Sequence, residues 1–91
     1  GINAEYGEMN KQEQPQTTTP IYTVYEMCRK QQRVLIHLTQ KNYLISGVLI
    51  GFDEFFNVTL KNAVKQTESL NVDLGKLVIK GENIAMICSD E

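Results

Sequence analysis

The stretch Tyr43-Leu-Ile-Ser-Gly47-Val-Leu-Ile-Gly51-Phe-Asp53-Glu-Phe55-Phe-Asn57-Val-Thr-Leu60 decides the fold. From Tyr43 to Phe52 it is nearly continuously apolar, interrupted by Gly47 and Gly51. Two glycines inside such a strand predict a sharp bend or a bulge, so that one strand serves two parts of a curved sheet. Asp53-Glu54 interrupts the run, and Asn57 to Val64 follows as a further strand carrying Val58, Leu60 and Val64. Downstream, residues 65–73 read as a polar hairpin connection. Leu74–Ile79 and Ile84–Cys88 then read as the last two strands, joined by the tight turn Lys80-Gly81-Glu82-Asn83.

Upstream the period changes. Val34, Ile36 and Leu38 recur every second residue from Arg33 on, and Gln40-Lys41-Asn42 makes a polar turn into the glycine-bearing strand. Before Arg33 the spacing is helical: Ile21, Val24, Tyr25 and Cys28 fall on one stripe, with Thr19 as the expected N-cap, Pro20 at the first helical position, and Arg29 and Lys30 at the C-terminal end. One short helix followed by five strands, with no helix between strands, predicts an all-β fold: a strongly bent five-stranded antiparallel sheet or open barrel. βαβ folds are excluded.

The 91 residues allow one small domain, expected over residues 19–89. Both prolines and few apolar residues lie in the first twenty positions, so residues 1–18 read as a flexible tail. Met9 is a candidate native start, with residues 1–8 a remnant ahead of it. No apolar stretch is long enough to span a membrane, so no membrane partner is expected. Cys28 and Cys88 lie far apart and the chain has one histidine, which offers neither a disulfide framework nor a Cys/His metal set; no cofactor is expected. His37 has no nucleophile near it, Asp53 and Glu54 are adjacent and point to opposite faces, and Gly47 to Gly51 is no phosphate loop, so an enzyme is not indicated. A net charge of −2 argues against a protein that coats phosphate; any nucleic acid must be gripped locally. Without staples, a core this small favours oligomerisation.

Two turns carry a chemical signal. The first, Phe52 to Asn57, holds aromatics and an amide; the second, Lys80 to Asn83, holds a cation and a glycine. Separately each has an ordinary reading, as core aromatics, a turn amide and a hairpin tip. Side by side they present a flat ring, an amide and a cation, a set that can stack a base and read its edge. A protein-interaction module with an SH3-like barrel, using only its sheet edges, remains the reading that needs no RNA.

The stretch Gly47 to Leu60 resembles the Sm1 motif of the Sm and Sm-like family, and Leu77-Val-Ile-Lys-Gly-Glu-Asn83-Ile resembles its Sm2 motif. The order of the motifs, the hairpin between them and the leading helix also fit, over roughly Pro20 to Ile87. The resemblance implies the Sm fold and a heteroheptameric ring closed by pairing the fourth strand of one subunit with the fifth of the next. Uridine-rich single-stranded RNA threads such a ring. It further implies that Phe55 stacks on a base, Asn57 hydrogen-bonds its edge, Lys80 covers its other side and Gly81 allows close backbone approach. Asp53, Glu82 and Asn83 would support these, Glu82 by holding Asn57 although the family usually has aspartate there. His37 and Lys65 are expected outside the pore. The partners implied are uridine-rich small nuclear RNA and other Sm subunits, of the F and G types, met through edge strands; the isolated chain is a candidate homo-oligomer. The role implied is in pre-mRNA splicing in the nucleus after assembly in the cytoplasm, or in a U6-particle or mRNA-decay ring of Sm-like proteins.

Overall fold

A computed structural model describes residues 18–90. The tail expected over residues 1–18 and the start at Met9 therefore lie, but for Thr18, outside the described residues. Helix α1 (Ile21–Arg29) precedes strands β1 (Arg33–Leu38), β2 (Leu44–Phe52), β3 (Val58–Gln66), β4 (Asn71–Ile79) and β5 (Ile84–Ser89). They form one antiparallel sheet in the order β4-β3-β2-β1-β5, as expected of the fold class.

The bend sits where the two glycines are. The β2–β3 register slips between Ser46 and Val48 and again between Leu49 and Gly51. At Gly47 the strands cross so closely that a Cβ would stand 3.2 Å from the Ala63 Cα, the Leu60 Cβ and the Lys61 oxygen. The curvature wraps Val34, Ile36, Leu49, Val58, Leu60 and Ile84 into a fully buried core. The one buried polar side chain among the described residues, Ser46, accepts hydrogen bonds from Arg33 Nη2 (3.2 Å) and Gln66 Nε2 (3.0 Å), which satisfies it.

Four expectations need correction. Thr19 does not cap α1; the N-cap is Pro20, with no side-chain bond. Thr19 Oγ1 instead donates to the Ile87 carbonyl (3.1 Å) and accepts from the Ile87 amide (2.8 Å), so the chain ahead of the helix is fastened to β5. The buried side of α1 is Val24 and Met27, with Cys28 half-buried and Ile21 and Tyr25 exposed, because the short helix rests on the sheet along a narrow line at β2. The polar connection shrinks to residues 67–70: Lys65 and Gln66 extend β3 and Asn71 to Asp73 belong to β4, where edge exposure lets polar residues sit in a strand. Finally, β4 and β5 are not a hairpin. They lie at opposite edges of the sheet, and a 3-10 turn over Gly81–Asn83 carries the chain between them.

Candidate nucleic-acid interface

Asp53 builds the first loop. Its Oδ1 accepts from the amides of Phe55 (2.9 Å) and Asn57 (3.0 Å), and its Oδ2 accepts from Asn57 Nδ2 at 2.9 Å. Its own amide donates to the Asn57 carbonyl (3.1 Å) while its carbonyl accepts from Phe56 (3.0 Å), closing the turn. These bonds to the charged form, the Asn57 side chain first and the two amides after it, hold the carboxyl below its ordinary value.

Inside this turn Phe56 takes a left-handed backbone, φ 61°. For a residue other than glycine that conformation costs about 1–2 kcal/mol, which is offset by burying the ring to 3% exposure against Phe52, centroids 6.2 Å apart. The same reversal leaves the preceding ring outside: Phe55 is 63% exposed. Two adjacent phenylalanines thus take opposite tasks, one anchoring the loop and one offering a flat surface to a ligand.

The second loop meets the first through Gly81. Its amide donates to Asn57 Oδ1 at 2.7 Å. Gly81 is buried, and a Cβ there would collide with the Phe55 carbonyl oxygen and stand 2.9 and 3.0 Å from the Phe56 carbonyl carbon and oxygen. Only a residue without a side chain lets the loops lie in contact. Lys80, exposed and extended, enters the 3-10 turn, and Asn83 ties that turn to the end of β1 by accepting from the Thr39 amide at 2.9 Å.

The Asn57 carboxamide is fixed by its partners: a backbone amide can only donate and a carboxylate only accept, so Oδ1 faces Gly81 and Nδ2 faces Asp53. One N–H and one oxygen lone pair remain, a donor and an acceptor of the kind that pair with a uracil edge. Phe55, Asn57, Gly81 and Lys80 are thus gathered on two touching loops. Glu82 is exposed and makes no hydrogen bond to Asn57; Asp53 occupies the position expected of it. The close backbone approach expected at Gly81 is made by the first loop, so it is a contact of the fold, before any ligand arrives. No group of His, Cys, Asp and Glu among the described residues could hold a metal ion.

Residues 27–89 match the LSM domain family. The chain is 32% identical over 90 residues to small nuclear ribonucleoprotein E of Saccharomyces cerevisiae, covering 88% of this chain and 96% of that protein. It is 40% identical over 65 residues to LSM complex subunit LSM5 of the same yeast, covering 62% and 69% of the two chains. Among solved structures, the Pyrococcus abyssii Sm protein in complex with a uridine heptamer superposes with a TM-score of 0.69 at 31% identity, covering 77% of this chain and 96% of that one.

Proposed function

Since the chain belongs to the LSM domain family, we propose that it is an RNA-binding subunit, not an enzyme, of a heteroheptameric ring around a uridine-rich single strand in spliceosomal ribonucleoproteins. The observation that carries this reading is the exposed Phe55 ring on a loop whose amide, Asn57, is locked by Gly81 of the second loop, with Lys80 next to it. A stacking surface worth about 1–3 kcal/mol per base and an amide with one donor and one acceptor to spare suit a single base, not a duplex. One lysine per subunit binds weakly alone, but a ring sets several such cations around one pore, which reconciles RNA binding with a net charge of −2.

The reading is supported by β4 and β5 standing at opposite edges of the sheet, with Thr18 and Thr19 lying along part of β5, since head-to-tail edge pairing closes such a ring. The E-type position is favoured by the likeness to ribonucleoprotein E over nearly that protein's whole length, by Ile50-Gly-Phe-Asp-Glu54 and by lysine at position 80. Neighbours of the F and G types, uridine-rich small nuclear RNA, and a nuclear site of action after cytoplasmic assembly follow from that position. A second reading, a subunit of an Sm-like ring, is favoured by the 40% identity to LSM5 and by Phe55 where E subunits typically carry tyrosine.

Binding of the assembled ring to oligo-U and oligo-C tests the base site. Phe55→Ala is expected to weaken binding and Asn57→Ala to reduce the preference for U; unchanged binding and preference in both would remove the RNA assignment. Co-purification separates the two rings: several uridine-rich spliceosomal RNAs support the first reading, U6 RNA without the others the second.

A further inference from the structure

The outer edge of β5 is not bare. The Thr18 amide and the Thr18 Oγ1 both donate to the Ala85 carbonyl, at 3.0 and 3.3 Å. Two residues further along, Thr19 Oγ1 donates to the Ile87 carbonyl at 3.1 Å and accepts from the Ile87 amide at 2.8 Å. A hydroxyl that gives and takes in this way does for Ile87 what a paired residue on an adjacent strand would do.

The two contacts differ in kind. That of Thr19 is half-buried and reciprocal, and it fixes the chain just ahead of α1. That of Thr18 is exposed and one-sided. Both of its donors go to a single carbonyl, and the register slip beside it leaves Ala85 without a partner residue on β1. An exposed bond between neutral groups is worth little net, because water replaces it. The opposite edge of the sheet, β4, is nine residues long and exposed over most of them, with Val78 62% exposed near its end. Such a strand brings successive donors and acceptors to the edge it meets, more than Thr18 can offer.

We propose that Thr18 is a releasable clasp: on the free subunit it covers the Ala85 carbonyl, and it yields that carbonyl to β4 of the neighbouring subunit when the ring forms. Thr19 stays on Ile87 and keeps the entry to the helix in place. The clasp blunts an edge that would otherwise invite unspecific strand pairing, and it makes each junction an exchange of one partner for another. Because both backbone groups of Ile87 are taken from within the chain, the neighbour is confined to the first half of β5, Ile84 to Met86. The inference rests on the head-to-tail ring reading.

The test titrates the full chain, wild type and variants, with F- and G-type Sm subunits and follows ring formation by native mass spectrometry. Thr18→Pro removes the amide and the hydroxyl of the clasp together. It is expected to join its neighbours about two- to tenfold more tightly than wild type, the net worth of one hydrogen bond expressed as a ratio. Thr18→Val loses only the hydroxyl and should fall between the two. A Thr18→Pro chain that joins no more tightly than wild type overturns the clasp.

Amide exchange at Ile87 in the assembled ring tests the division of the edge. It should be slow in the wild-type ring and fast in a Thr19→Val ring, where no neighbour replaces the lost hydroxyl. Slow exchange in that variant, or a folded Thr19→Val chain that does not join, would show that the junction includes Ile87 and would overturn the division. Ala85→Pro separates the proposal from the ring reading beneath it. If Ala85→Pro forms rings as readily as wild type, subunits do not join through β5, and the clasp falls with the head-to-tail reading. If it blocks rings while Thr18→Pro leaves the affinity unchanged, the clasp alone is overturned.

Discussion

The amide of Gly81 donates to Asn57 Oδ1 at 2.7 Å across 24 residues of sequence, and this bond joins the two loops of the candidate site. Because Gly81 packs on the carbonyls of Phe55 and Phe56, even one methyl group must push the loops apart. Gly81→Ala is expected to destabilise the domain by about 1–3 kcal/mol, the usual cost of overpacking, and to weaken RNA binding with Phe55 intact. Urea unfolding and oligo-U titration of the same variant measure both effects.

Phe55 and Phe56 should separate binding from stability. Phe55→Ala removes a ring that is 63% exposed and is expected to change stability by no more than about 0.5 kcal/mol, the range of ordinary surface substitutions. Phe56→Ala empties a site that is 3% exposed and should cost about 3–5 kcal/mol. Denaturation midpoints of the two single variants give the comparison. Equal costs would mean that both rings serve the core.

The strand pattern was legible because alternation and the glycine pair are local signals: Val34, Ile36 and the bends at Gly47 and Gly51 are where the periods put them. What could not be read was set by edges and by tertiary partners. Asn71 to Asp73 look like loop residues because an edge strand exposes them, and Thr19 has the chemistry of an N-cap but finds the Ile87 backbone. The site residues Phe55, Asn57, Lys80 and Gly81 could be named from the two motifs. Their support is legible only in part: the motifs point to Asp53 as ordering the first loop, but they give the hold on Asn57 to Glu82, and only the fold shows that Asp53 holds the amide. A left-handed phenylalanine at position 56 has no signature in the sequence.

Asp53 gives the first loop a defined pH response. Its folded value is depressed, so its stabilising bonds are fully present above the unfolded carboxylate range, about 3.9 for aspartate, and are lost as the pH falls through the lower folded value. Between pH 7 and 5 no change from this group is expected. Asp53→Asn should remove the dependence below that, so the stability gap between wild type and variant should be constant above about pH 5 and shrink in stronger acid. Thermal unfolding of both across that range decides it; a gap that widens on acidification would contradict the assignment.

The β5 edge offers a way to block assembly without unfolding the subunit. Ile87 gives both its N–H and its carbonyl to Thr19, and the Ala85 carbonyl accepts from the Thr18 amide at 3.0 Å, so the odd positions of β5 direct their backbone groups away from β1. The β1–β5 register slips between His37 and Leu38, which leaves Ala85 unpaired at a bulge, a position where proline is tolerated in a sheet. Ala85→Pro removes one backbone donor, places a ring on the edge strand, and leaves the paired residues of the β1–β5 ladder and the Thr18 bond to the Ala85 carbonyl in place. The variant is expected to show the circular dichroism of a folded β domain and to fail to form rings with partner subunits, or with itself, by native mass spectrometry at micromolar concentration. Rings formed as readily as by wild type would show that subunits do not join through this edge, and the head-to-tail pairing of β4 with β5 would have to be abandoned.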